Sequence, residues 1–293
     1  MSRCYNAAFR RQPTVAIRLT RRRFLCGLGA AAVASGAYAL WVEPHFVSIT
    51  ERDLPIARLP SALNGRLLVQ ISDLHIGPVD DDYLLGCFAK VNALHPDLLL
   101  ITGDYMTCRH DEQIEHVGRL LSTLNKPPLG VFGSMGNHDY GPYWMHSPTA
   151  DRLVRTLAAV GIPVLRNEKR DVEGLQLVGL DDLWAGRFAP TEVLLSLDPA
   201  RAALVMSHNP DTLDRDGWSG YQGWILSGHT HGGQCKPPFL DPPVIPVMNQ
   251  RYTSGEIDLG DGRRVYINRG LGYNRQIRFN ARPEITAFTM RQA

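Results

Sequence analysis

Residues 224–234 read WILSGHTHGGQ. A short apolar run stops at a serine and gives way to two histidines, one position apart, among glycines. In a strand, residues i and i+2 share a face, so the spacing predicts that His229 and His231 aim at one point if the extended conformation persists to the tip. Glycines there let backbone or ligand come close, and neutral imidazole is a common metal ligand. A polar loop that happens to hold two histidines fits the same eleven letters, so the stretch alone leaves both readings open.

The same punctuation recurs along the chain. The run at 67–71 ends in SDLH, 98–101 in TGD, 175–178 in GLDD and 203–206 in SHNP, while 129–132 leads into GSMGNHD. Short continuous apolar runs bounded by turn residues fit strands buried on both faces. Helical stretches separate them at 83–93, 111–124 and 151–160, and this alternation implies an α/β layer architecture. In such sheets ligands bind beyond the carboxyl ends of the strands. Those ends carry Asp73, His75, Asp104, Asn137, His138, Asp139, His208, His229 and His231, which include five of the ten histidines.

Imidazole, carboxylate and one amide, without thiolate, suit borderline divalent ions. The set is too large for one four-coordinate ion, and two ions about 3.5–4 Å apart can clamp a phosphoryl group and generate a hydroxide near neutral pH.

In order, D-x-H (Asp73, His75), G-D (Gly103, Asp104), G-N-H-D (136–139), His208 and G-H-T-H (228–231) resemble the motifs of the calcineurin-like metallophosphoesterase superfamily. GGQ, the Pro-rich stretch 237–246 and NRGLGYNRQIRFNARPEI (268–285) resemble its branch of twin-arginine-exported bacterial phosphodiesterases. The resemblance implies an α/β fold of two packed mixed β-sheets flanked by helices, a four-layer α/β/β/α sandwich. It implies Asp73, His75, Asp104 and His231 around a first metal. Asn137, His208 and His229 would join a bridging Asp104 around a second, with manganese favoured over iron or zinc. His138 is then the proton donor to the leaving alkoxide or a phosphate contact, oriented by Asp139. The expected activity is phosphodiester, or phosphomonoester, hydrolysis by a metal-bridging hydroxide. The alternatives are a membrane-associated UDP-2,3-diacylglucosamine pyrophosphatase and a non-catalytic metal-binding scaffold.

The first forty residues read as an address. TRRRFL precedes 19 residues without a formal charge at 24–42, and small residues follow near Ala37 and Ala39. This resembles a twin-arginine export signal built on Arg21 and Arg22, with the Tat translocase as partner. Cleavage after Ala39 would release the domain to the periplasm or cell envelope. Retention would anchor it on the outer face of the cytoplasmic membrane. The expected organisation is therefore 1–40 signal or anchor, 41–64 lead-in, and 65–293 catalytic domain.

Seven arginines and no acid lie in 1–42, which leaves 24 basic against 29 acidic residues beyond it. That mildly acidic remainder offers no electrostatic footprint for a nucleic-acid partner. Five cysteines without a C-x-x-C pair favour free thiols. Cys235 reads as a small hydrophobe, Asp181 and Asp182 as a cap or turn, and 140–146 (YGPYWMH) as either a substrate wall or a packed loop.

Overall fold

A computed structural model of the chain describes residues 20–107 and 112–293. They belong to two units, one ending at Ala37 and the other running from Tyr38 to Ala293. The first holds helix α1 (Arg21–Ala37), none of whose side chains is buried. By length and composition the helical stretch Arg21–His45 is long and apolar enough to cross a membrane.

The second unit is built on two sheets. One joins β1 (Ser48–Ile56), β2 (Leu67–Ile71), β3 (Leu98–Thr102), β4 (Val131–Ser134) and β11 (Glu284–Gln292) in the order β1-β11-β2-β3-β4. The other joins β5 (Glu168–Val172), β6 (Leu175–Gly179), β7 (Ala203–Met206), β8 (Gly223–Ser227), β9 (Gly255–Asp258) and β10 (Arg263–Ile267) in the order β5-β6-β7-β8-β10-β9. Both are mixed: β2, β3 and β4 run parallel, as do β6, β7, β8 and β10, whereas β11 meets β2 antiparallel and β5 and β9 are antiparallel edges.

Alternation along each strand explains the continuous apolar runs. Leu98 and Leu100 enter the space between the sheets with Leu177, Leu204, Met206, Leu226 and Phe288. Leu99 and Ile101 face the other way, onto α2 (Asp81–Ala93), α3 (Glu112–Leu121) and α4 (Ser147–Ala159) through Phe88, Val117 and Leu153. On the far side Val178, Val205, Ile225 and Val265 pack with Val193 and Leu194 of the short α5 (Thr191–Leu195). Both faces of each sheet are thus covered, and no alternation with polar residues is needed. Polar groups also cross the central layer: Gln70 Nε2 on β2 donates to Thr102 Oγ1 and to the Ser227 carbonyl, each at 3.0 Å, and so ties β3 to the tip of β8.

The α/β arrangement of two mixed sheets flanked by helices is the expected one, with local shifts. The 129–132 run starts its strand only at Val131, because Gly130 turns the chain at φ 98°. The 151–160 helix begins at Ser147, where Pro148 occupies the first turn and forfeits no hydrogen bond. The 111–124 helix is described from Glu112 to Leu121, and Asp111 lies outside the described residues. Residues 41–64, expected as a lead-in, supply β1, which pairs with β11 along nine positions and buries Leu54 and Ile56 between the sheets.

Phe288 stands edge-on to Tyr266 at 5.0 Å between ring centres and is buried. Phe288→Ala should therefore cost about 3–5 kcal/mol of stability, read from the urea midpoint.

Candidate metal centre

The seven residues expected to hold metal all lie on loops at the carboxyl ends of β2, β3, β4, β7 and β8, and each is 4 % exposed or less. Asp73, His75, Asp104, His229 and His231 take positive φ, between 47° and 71°. A non-glycine residue held there stores about 1–3 kcal/mol of strain, and such residues gather where structure serves a site. The turns curl these side chains back over the strand ends.

Two donor groups result. Asp73, His75 and His231 converge, with His75 Nε2 at 3.0 Å from His231 Nε2 and Asp73 Oδ1 at 3.4 Å from the latter. Asp104, His208 and His229 form the second, with His208 Nε2 at 3.2 Å from His229 Nδ1. Asp104 Oδ2 stands between the groups, 3.6 Å from His75 Nε2 and 3.3 Å from His208 Nε2. Two imidazole nitrogens facing each other at such range suit a cation that both can ligate. Neither polar atom of the buried Asn137 side chain has a hydrogen-bond partner, which marks it as a waiting ligand. The donor set fits two divalent ions.

The far nitrogens of the rings fix which atom turns inward. His208 Nδ1 donates to the Thr102 carbonyl at 2.7 Å, and His229 Nε2 to the Pro246 carbonyl at 2.8 Å. His75 Nδ1 donates to Thr107 Oγ1 at 2.8 Å. In a neutral ring each bond leaves the opposite nitrogen with a lone pair facing the cluster. Glycine is required where backbone passes the carboxylates. A Cβ on Gly136 would lie 2.3 Å from Asp104 Oδ1, and one on Gly228 would lie 2.4 Å from Asp73 Oδ2.

Burial pushes the pKa of His75 and of His229 down to about 3 and holds His231 well below the usual histidine range. These rings stay neutral and available. Burial also raises Asp73 to about 6, with Asp104 adding to the effect. For His208 burial works in the opposite direction, but the Asp104 carboxylate overcomes it and keeps the imidazolium favoured.

Two expectations change. The GHTH histidines do not share a strand face: β8 ends at Ser227, His229 and His231 both take positive φ, and the rings go to different donor groups. Asp139 does not orient His138. Its carboxylate accepts from the backbone N–H of Asp104, Tyr105, Met106 and Gly136 at 2.8–3.4 Å, clamping the β3 loop to the β4 loop. His138 is met instead by Asn274, whose Nδ2 lies 3.1 Å from Nε2 and whose Oδ1 accepts from Thr107 Oγ1 at 3.1 Å.

His138 is the only histidine of the motif set that is not fully buried, and it opens into a cavity of about 590 Å³ lined by Asn137, Trp144, Trp184, His229, Val244, Pro246, Asn274, Arg275 and Ile277. Trp144 of the 140–146 stretch forms one wall of this cavity. Trp184 stacks on it at 4.8 Å and meets His229 edge-on at 4.5 Å. Sequence reasoning missed Trp184, although it follows the β6 run just as the motifs follow theirs. It also missed Arg278, a fully buried guanidinium that donates to the Gly272 carbonyl at 2.6 Å and lies 3.3 Å from His231 Nδ1. Asp182 does cap a turn, accepting from Ala185 N at 2.8 Å, and Asp181 binds Arg166 and the Tyr140 hydroxyl. Cys235 is a half-buried free thiol on the cavity wall, and Cys26 and Cys87 are also free; Cys4, Cys108 and His110 lie outside the described residues.

A buried cluster of histidines and carboxylates at the strand ends of a two-sheet sandwich defines a candidate dinuclear hydrolase centre. The chain belongs to the calcineurin-like phosphoesterase family, which matches residues 67–233. It is 32% identical over 296 residues to the metallophosphoesterase YkuE of Bacillus subtilis, covering 94% of this chain and 98% of that one. The phosphodiesterase YaeI of Escherichia coli is 32% identical over 284 residues (92% and 98%). The UDP-2,3-diacylglucosamine pyrophosphatase LpxG of Chlamydia trachomatis is 28% identical over 308 residues (87% and 93%).

Metal binding should weaken on acidification. Asp73 carries a proton below about pH 6 and His208 carries one through neutrality, and both must release it to become ligands. A manganese titration from pH 8 to pH 5 should show affinity falling throughout and more steeply below about 6; a flat profile would contradict these protonation states. Asp104→Ala should lose metal at both positions, measured as metal per chain.

Proposed function

We propose that the chain is a dinuclear-metal phosphodiesterase that acts outside the cytoplasmic membrane. The observation that carries the reading is the convergence of six buried donor side chains on two adjoining points, with Asp104 beside both. Two divalent ions held there would polarise the phosphoryl oxygens and acidify water. Manganese, iron or zinc suits the mixed nitrogen and oxygen donors, and manganese is preferred.

The protein's own groups do the rest. Trp144 and Trp184 wall the cavity and keep bulk water from one side of the site. The His138 ring is steadied by Asn274 and by edge contacts to His75 and Trp144 at 4.9 and 6.0 Å. As the phosphorus–oxygen bond to the leaving group breaks, His138 passes a proton to the departing alkoxide. His138→Ala should then keep the metals and lose about 10²–10⁴-fold in rate on an alkyl diester. It should lose far less on bis-p-nitrophenyl phosphate, whose leaving group needs no proton. Equal losses on both substrates would remove the proton-donor role.

The phosphodiesterase name of the E. coli relative supports diester cleavage. A second reading, hydrolysis of an acylated UDP-sugar as named for the chlamydial relative, is favoured by the apolar cavity walls at Val244, Pro246 and Ile277. Export of the domain weighs against it, because UDP-sugars are cytoplasmic. Metal analysis and bis-p-nitrophenyl phosphate hydrolysis, with and without manganese, test the main reading. About two metals per chain and metal-dependent cleavage are expected, and metal without cleavage of either substrate would leave a scaffold.

For the N-terminal segment we favour retention as an anchor. Ala39 is buried and its carbonyl accepts from Arg278 N at 2.9 Å, so cleavage after it would cut inside folded structure. The full-length chain should stay in the membrane fraction; a mature terminus at Tyr38 to Leu40 would refute this.

A further inference from the structure

Three segments meet around the cavity mouth. Ile277 lines the cavity, and its two neighbours hold the chain that leads out of the apolar stretch. Gln276 Nε2 donates to the Leu40 carbonyl at 3.0 Å, and Arg278 N donates to the Ala39 carbonyl at 2.9 Å. One wall of the cavity is therefore fastened directly to residues 39 and 40. The loop after the GHTH motif is bound to the same wall, with Phe279 N donating to the Gln234 carbonyl and Lys236 N to the Phe279 carbonyl, both at 2.8 Å. That loop contributes Pro243, Val244 and Pro246 to the opposite side of the cavity.

These segments carry an unusual surface. Phe239 is wholly exposed, and Leu240 and Val244 are 65% and 76% exposed. Trp41 and Phe46, beside Ala39, are likewise more than half exposed. Scattered exposed hydrophobics are ordinary, but here Phe239 and Leu240 lie on the loop that gives Val244 to the cavity wall, and Trp41 follows the residues bonded to Gln276 and Arg278 beside Ile277. Cations accompany them: Lys236 and Arg275 on the same segments, and Arg282, whose guanidinium lies 4.4 Å over the Phe46 ring. Apolar and aromatic tips with basic neighbours match the layer between lipid headgroups and acyl chains.

We propose that this rim docks on a lipid bilayer, with Phe239 and Leu240 entering the acyl-chain boundary, so that the cavity opens onto the membrane interface. About 20 residues cross the hydrocarbon core, so a span starting near Phe24 brings Leu40 and Trp41 to its outer edge. The proposal deepens the reading of the chain as an anchored phosphodiesterase and rests on it for the span. Its occupant is a bilayer that bears anionic lipid. The substrates it favours are phosphate esters resident in that interface.

The test uses the full chain reconstituted in vesicles of phosphatidylethanolamine and phosphatidylglycerol with acyl chains dibrominated near the glycerol. A Phe239→Trp variant is compared with the unsubstituted chain. The added emission should be blue-shifted and quenched by the brominated lipid. Solvent-like, unquenched emission overturns the proposal, as does a chain that remains soluble. A Phe239→Ser, Leu240→Ser double variant should hydrolyse soluble bis-p-nitrophenyl phosphate at the parent rate. Its rate on hexadecyl p-nitrophenyl phosphate held in the vesicles should fall about tenfold. Equal rates on the vesicle substrate refute docking, and quenching with no hydrolysis of either substrate would sink the phosphodiesterase reading alone. Emission unquenched by the lipid but blue-shifted on adding a soluble protein fraction would assign the rim to a protein partner and overturn the bilayer.

Discussion

One carboxylate oxygen organises the site. Asp104 Oδ2 lies between an imidazole of each donor group, while Oδ1 accepts the His138 N–H at 2.9 Å. A buried carboxylate is costly unless positive charge or donors surround it. Here that compensation draws in loops from both sheets: the β3 loop carries Asp104, the β7 loop His208, and the β2 loop His75. Asp139 fixes the Asp104 backbone from below through its four N–H partners. The glycines of the motifs follow from the same crowding, since a methyl group at Gly136 would strike the Asp104 carboxylate.

The clustering of the candidate ligands was legible because its signal is local. An apolar run that stops at Asp, His or Asn marks a strand end, and the open face of an α/β sheet is where strand ends gather. That logic located Asp73, His75, Asp104, Asn137, His208, His229 and His231 without any knowledge of contacts. It failed where the answer depended on φ or on partners distant in sequence. The letters of GHTH carry no sign of φ, so the divergence of His229 and His231 was hidden. Asp139 serves a loop some 35 positions earlier and Asn274 reaches His138 across 136 positions, and no spacing rule connects either pair.

Arg278 shows the same limit from the other side. Arginine in a polar stretch reads as surface, yet this one is fully buried and its guanidinium gathers carbonyls of 269, 270, 272 and 281. Burial lowers its pKa to about 10, which leaves it charged at neutral pH. It is the central post of the 268–285 stretch, joining the chain after α1 to the neighbour of His231. The stretch was noticed as a resemblance, and its physical purpose emerges only from the hydrogen bonds.

Sheet order carries a further consequence. β11, made after every other strand, lies between β1 and β2, and β1 touches the rest of its sheet through β11 alone. Its insertion joins positions more than 200 residues apart, the kind of long-range closure that makes folding slow. Until β11 is made, β1 has no partner strand in the sheet that bears Asp73 and Asp104. Closing that sheet is thus a late step in folding, one that waits on residues 284–292.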